Sequence, residues 1–225
     1  MPTPDADWFE RDPLELAPLL LGGVLRRADA SGAVALRLTE VEAYRGSDDP
    51  GAHTYRGKTA RNATMFGPGG HVYCYFTYGM HHAVNIVAGP EGSGWGVLVR
   101  AGEVVEGEAL AAERRHARRT TRIAGELARG PGNVAQALGA TLADDGAKLV
   151  DPAQPAHRVG AQRRIEMHPA AWSFTPAPTP LPHHTGPRVG VSGPGGDASA
   201  FPWRFWLPGE PSVSAYRPAT RRRRP

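Results

Sequence analysis

The chain has 225 residues, with 26 Lys+Arg against 22 Asp+Glu, one Cys, 28 Gly and 22 Pro, about twice the ordinary share of turn formers. No Gly-x-y period runs through it, which excludes collagen, and a 40% hydrophobic content with five Trp excludes full disorder. One compact, loop-rich domain is expected at this length.

Only Lys58 and Lys148 are lysines, so nearly all the basic residues are arginine. That reads either as compositional bias or as a supply of guanidinium groups for bidentate phosphate contact. Cys74 alone cannot make an internal disulfide. No segment approaches the ~18 apolar residues of a membrane span, and the acidic start of the chain has no apolar signal region. These features predict a soluble cytoplasmic protein with no membrane partner.

In chain order, residues 1–11 read as a flexible lead-in. Asp12-Pro13-Leu14-Glu15 starts a helix, with an N-cap, a first-turn proline and a carboxylate at the capping-box position. Its apolar run, Leu16 to Leu21, stops at Gly22-Gly23. Val24 to Ala28 and Ala33 to Tyr44 form a hairpin around the turn Asp29 to Gly32. Residues 45–70 form a long glycine-rich loop carrying His53. His71 to Thr77 and Ala83 to Ala88 pair around a tight turn at Tyr78-Gly79-Met80, and Gly96 to Glu106 is a further strand. Glu108 to Arg119 is a helix whose Arg114, Arg115, Arg118 and Arg119 make either a solvated face or a phosphate contact. Asn133 is expected to cap a helix beginning at Val134, after Gly130-Pro131-Gly132, and such a terminus offers backbone N–H groups to anions. Residues 175–187 read as a proline-rich loop. Val189, Val191 and Phe201 to Leu207 read as late strands, and the arginine-rich tail 215–225 as disordered.

Two features break the pattern. Val34, Leu36 and Leu38 share one strand face, yet Glu40, Glu42 and Tyr44 continue the same parity. Either a bulge resets the register or carboxylates stand at the rim of the core, where desolvation suits such a group to general-base work. Spacing alone does not say which glutamate would act. The second is Tyr73-Cys74-Tyr75-Phe76-Thr77-Tyr78, which holds three of the six tyrosines. These residues pack across strands or stack on bases, and Tyr78 at a turn tip is poorly placed to enter the core. Asn85 interrupts an apolar run as a core amide or a ligand contact. Metal-ligand spacings, a serine nucleophile elbow, a P-loop and a dinucleotide fingerprint are all absent from the sequence, so neither a metal nor a cofactor is expected.

Thr39-Glu40-Val41-Glu42-Ala43-Tyr44, Gly51-Ala52-His53, Arg61-Asn62, Met65-Phe66 and Tyr73 to Met80 together resemble the alkyladenine (3-methyladenine) DNA glycosylase family. Asn85, Val99-Arg100-Ala101, Gly130-Pro131, Gln136-Ala137-Leu138, Pro187 to Val191 and Pro202 to Phe205 extend the resemblance over residues 12–214. It implies a single α+β domain with a curved, largely antiparallel sheet, acting as a monomer on duplex DNA that contains damaged purines. By the same resemblance Glu42 is the general base, and Arg100 and the Val191 carbonyl help hold the attacking water. Tyr44, His53, Tyr75 and Asn85 form the base pocket, Tyr78 is the wedge in the duplex, and Gly130, Gly132 and Asn133 meet a phosphate. The family more often has a basic residue where this chain has Asn133, so that contact is either weaker or supplied by Arg129. His81-His82 is a second departure.

Two other readings compete. Glu40 and Glu42 could serve as the carboxylate pair of a sugar hydrolase, but such pairs flank a bond from opposite sides. A non-catalytic nucleic-acid module would use the tyrosines but has no need of Glu42. Neither lysine lies in the matched motifs, so a Schiff-base lyase step lacks its amine.

Overall fold

The computed structural model describes residues 4–77, 81–116, 124–149 and 170–219. Among them are β1 (Val24–Asp29), β2 (Gly32–Arg45), β3 (Val72–Thr77), β4 (His81–Ala88), β5 (Trp95–Glu106), β6 (Ala171–Thr175), β7 (His184–Gly186) and β8 (Arg204–Trp206). The helices are α1 (Ala6–Phe9), α2 (Pro13–Leu20), α3 (Glu108–His116) and α4 (Pro131–Leu138). The strands join in one sheet of order β3-β4-β5-β2-β1-β6, with β8 on β2 and β7 on β8. Every ladder between these strands is antiparallel. The architecture is the expected α+β domain with a curled antiparallel sheet.

β2 organises it. One edge pairs with β5 along nearly its whole length, while the other is divided between β1, opposite Gly32–Arg37, and β8, opposite Glu40–Glu42. Because strands lie on both sides and helices cover the sheet, every residue from Leu38 to Ala43 is buried. Register shifts between Leu38 and Val41 mark bulges against β5, which bend the strand and leave room for the separate edge pairing of β8. Leu36, Leu38, Val41 and Ala43 join Leu16, Leu20, Val84, Val99, Val134 and Leu138 in the main core.

Asp12 caps α2 as expected, accepting from the Leu14 N–H at 2.9 Å. Within the stretch read as a flexible lead-in, Asp5 caps α1, and Phe9 is buried against Phe174 and Trp8. Asn133 is not the cap of α4. Pro131 takes the first helical position, preset by its ring, and Gly130 precedes it at φ 94°. The Asn133 side chain instead donates back to the Arg129 carbonyl at 2.7 Å.

Arg114 is neither solvated nor free for phosphate. It donates to the Ala137 and Leu138 carbonyls at the C-terminus of α4 and to Asp29, satisfying the carbonyls that a helix end leaves open. Arg115 bonds the Gln136 side chain. Val189 and Val191 lie in a loop rather than a strand, with Gly190 at φ 75° between them. The proline-rich stretch contains β7, and β6, absent from the sequence-based expectation, closes the far edge on β1. Tyr78, Arg118, Arg119 and residues 220–225 lie outside the described residues.

A buried ionic cluster ties β1 to β6 and to the turn after α4. Asp144, fully buried, accepts from Arg27 at 3.0 Å, the Trp172 indole at 2.9 Å and the Thr141 N–H at 2.8 Å. Removing one partner of such a group strands the others without water. Asp144→Ala should therefore lower unfolding free energy in urea by about 3–5 kcal/mol. A change under about 1 kcal/mol, the scale of an exposed pair, would show that the cluster is not closed to solvent.

Candidate active site

The two glutamates on β2 are both fully buried, and both face Arg100 of β5. Their surroundings differ. Glu40 accepts from Arg100 Nε at 2.8 Å, Arg204 Nε at 2.7 Å and the Ser214 N–H at 2.8 Å, and it also meets the Ser214 hydroxyl. Both its oxygens are bound into a knot joining β2, β5, β8 and the segment after β8. Glu42 accepts from the Val189 N–H at 2.7 Å and lies 3.3 Å from Arg100 Nη1, both through Oε1. Its Oε2 accepts from the Tyr44 hydroxyl at 2.9 Å. The bulge and the buried carboxylates, set against each other as alternatives in the sequence, are both present.

Burial works against the charge of Arg100, but Glu42 and Glu40 outweigh it and hold the guanidinium above its usual range. Burial, and then the Glu42 charge, push Tyr44 well above the usual phenol range, so its O–H stays a donor to Glu42. Under the Tyr44 ring lies Arg188, its guanidinium 4.5 Å from the ring centroid.

Two cavities flank this carboxylate. The first is lined by Tyr44, His53, Met65, Tyr73, Tyr75 and Asn85. Tyr73 stacks on Tyr75 at 5.3 Å between centroids, and His53 meets Tyr75 edge-on at 4.6 Å, so β3 and the loop before it supply one continuous aromatic wall. Asn85, on β4 opposite Tyr73, spends its amide N–H on the Tyr73 carbonyl at 3.2 Å. Burial pushes the Tyr73 hydroxyl up to about 12. The second cavity, about 480 Å³, is polar, and Arg100, Arg129, Asn133, Val189 and Arg217 are among its lining residues. Glu42 thus bonds one residue of the aromatic cavity, Tyr44, and two of the cationic cavity, Arg100 and Val189. Glu42 thereby links the two linings without lining either cavity itself.

The structure therefore gathers Glu42, Arg100, Tyr44, His53, Tyr75 and Asn85 from positions spread over β2, β4, β5, β3 and a loop. Val191 lies in the 187–195 loop, two residues beyond the N–H that binds Glu42. Of the three residues at the start of α4, Asn133 lines the cationic cavity, and Gly132 packs close to His81, one of the two histidines noted as a departure. Sequence reasoning singled out Tyr73 in the aromatic cluster but did not place it in the pocket, gave Met65 and Arg204 no role although both lie in motifs that carried the resemblance, and missed Ser214, whose partner Glu40 is far away along the chain. It also gave Asp49 and Arg188 no role, although Arg188 sits inside a motif that carried the resemblance.

His53 has its pKa lowered from the ordinary 6.5, first by partial burial and then by the charge of Arg61. In an NMR titration its midpoint should fall below 6.5. Folding stability should be full above 6.5 and decline as pH falls through that midpoint, because the unfolded imidazole accepts a proton that the folded ring resists. A midpoint at or above 6.5 would contradict this placement of the ring.

The family model for methylpurine-DNA glycosylase matches residues 7–211. Curated relatives bear the printed name "Putative 3-methyladenine DNA glycosylase". One from Streptomyces avermitilis is 49% identical over 97% of this chain and 93% of its own length. Another, from Leifsonia xyli, is 50% identical over 95% and 92%, and one from Nocardia farcinica is 47% identical over 93% and 90%. The match spans all eight described strands and α2 to α4, and the chain belongs to the methylpurine-DNA glycosylase family.

Proposed function

We propose that this chain is a monofunctional base-excision-repair glycosylase, acting as a monomer on duplex DNA. Its reaction is hydrolysis of the N-glycosidic bond of alkylated or deaminated purines, of the 3-methyladenine and hypoxanthine type. The observation that carries the reading is the position of Glu42 between an aromatic cavity of base-stacking character and a cationic cavity suited to the phosphodiester. A glycosidic bond joins exactly these two kinds of group, a flat base and a sugar-phosphate.

A base inside a duplex cannot reach such a cavity, so it must be extruded at a cost of about a few kcal/mol, least for damaged pairs. The role of wedge falls to Tyr78 by the resemblance and by its position in the sequence between β3 and β4. Once extruded, the base stacks on Tyr44 and on the His53–Tyr75 wall, with Asn85 screening its edge. Alkylated purines are electron-poor, and aromatic faces attract them by about 0.5–2 kcal/mol more than neutral ones, in the manner of a cation–π contact.

As the bond to the base lengthens, positive charge builds on the sugar and the carboxylate of Glu42 stabilises it. Glu42 also takes a proton from the attacking water, which Arg100 and the Val191 carbonyl help to hold. General-base assistance of this kind supplies about 10²–10⁴ in rate. Glu40 has no oxygen left for such work, which removes the paired-carboxylate reading. The flanking phosphate is met by Gly130, Gly132 and Asn133 at the start of α4, with Arg129 supplying the charge that Asn133 lacks. Arg129 lines the same cavity as Asn133 and is about two-fifths exposed. Lys58 lies over the Phe66 ring and Lys148 in a bridge with His71. Neither lines either cavity, so neither lysine is placed to form a Schiff base, which supports the monofunctional reading.

The test is incubation of the purified protein with duplex oligonucleotides carrying hypoxanthine or alkylated adenine, read before and after alkali. Strand cleavage that appears only after alkali is expected. Absence of an abasic product from every lesion would overturn the glycosylase reading, and cleavage without alkali would overturn the monofunctional one.

A further inference from the structure

Arg188 is among the largest fully buried side chains of the described residues, and neither the carboxylate chemistry nor base stacking uses it. Its guanidinium forms a fork with the equally buried Asp49, at 2.5 and 2.6 Å. It also donates to the Ala43 carbonyl at 3.0 Å and the Gly195 carbonyl at 2.8 Å. Tyr44, Trp203 and Phe201 surround it, with ring centroids 4.5, 5.3 and 5.7 Å away. Asp49 in turn accepts from the Gly51 N–H at 2.8 Å and the Arg45 N–H at 3.3 Å. Burial disfavours the Arg188 charge, but the Asp49 hydrogen bonds together with the charges of Tyr44, Asp49 and Glu42 outweigh it and hold its pKa above the usual range.

The pair joins the two halves of the site. On one side Arg188 is followed directly by Val189, whose N–H binds Glu42, and then by Val191. On the other side it supports the Tyr44 ring from beneath and, through Asp49 and Gly51, anchors the loop that leads to His53. We propose that the Asp49–Arg188 pair is the positioning element of this enzyme, setting the water-activating half (Glu42, Val189, Val191) against the base-holding half (Tyr44, His53). The proposal rests on the glycosylase reading given above. A buried ion pair is poor at adding net stability, since its desolvation offsets its attraction, whereas fixing reacting groups to within an ångström changes rates by about 10²-fold.

Arg188→Lys keeps the charge but cannot make the fork, and Asp49→Asn keeps the shape but loses the charge. A milder probe is Gly51→Ala. A methyl group there would lie 2.6 Å from Arg188 Nη2 and 2.8 Å from Val191 Cγ1, so it wedges the pair without removing a charge. The experiment measures single-turnover excision and lesion-DNA affinity on full-length protein, with folding verified by near-UV circular dichroism.

Arg188→Lys and Asp49→Asn are expected to lower the single-turnover rate by about 10²-fold, with affinity changed much less. A merely structural pair, once the variant is shown to be folded, would move neither the excision rate nor its ratio to affinity. Gly51→Ala is expected to act in the same direction, by about tenfold. Should the ion-pair variants fail to fold, Gly51→Ala decides alone. With wild type active, folded variants that keep its excision rate overturn the proposal. A wild type inactive on every lesion overturns the glycosylase reading instead.

Discussion

Two carboxylates on one face of a strand buried on both sides can stay charged only if cations are buried with them. Glu40 and Glu42 meet this demand through Arg100, which touches both, and Arg204, which touches Glu40 alone. Much of the architecture follows from that requirement. β5 must pair with β2 in the register that brings Arg100 between the glutamates, and β8 must reach the second half of β2 to bring in Arg204. The segment after β8 must fold back so that Ser214 can close the remaining oxygen of Glu40. The arginines that make the chain basic in composition are here spent on internal carboxylates before any reach a polyanion.

Unequal sharing of those cations separates the two glutamates by role. Glu40 is bound on every side and holds four parts of the fold together. Glu42 receives one guanidinium at longer range, one backbone N–H and one phenol, and its neighbours open into two cavities. The aromatic space and the cationic space are lined by different residues, and Glu42 bonds to members of both linings. The Asp49–Arg188 pair lies on the far side of Tyr44 and ties the loops that carry the remaining site groups to this strand.

Much of this was legible in the sequence, and the limits have physical causes. The α+β class, the hairpins and the helix start at Asp12 follow from alternation and cap chemistry, which are local. The parity break at Glu40 and Glu42 located the site because a carboxylate on an apolar face requires an explanation. Spacing did not choose between the two glutamates and only the resemblance named Glu42, since the difference turns on Arg204 and Ser214, more than 160 residues away. Val189 and Val191 read as strand because of their side chains, yet Gly190 and the bonds of Arg188 keep them in a loop. The cap of α4 was misplaced because Asn is a common N-cap, while Pro131 fixes the helix start three residues earlier. Arg114 looked like a solvated or phosphate-binding residue because its partners, the last carbonyls of α4, come together with it only in the tertiary fold.

The claim on which the account turns is that Glu40 and Glu42 are inequivalent. It is tested most directly by comparing Glu40→Gln and Glu42→Gln in single-turnover excision, lesion-DNA binding and urea unfolding. Glu42→Gln should fold, bind the lesion duplex and lose excision by about 10²–10⁴-fold. Glu40→Gln should lose about 3–5 kcal/mol of stability, because it leaves Arg100 and Arg204 short of a buried counter-charge, while whatever remains folded still excises. A folded Glu40→Gln without excision, beside a Glu42→Gln that excises at the wild-type rate, would contradict it.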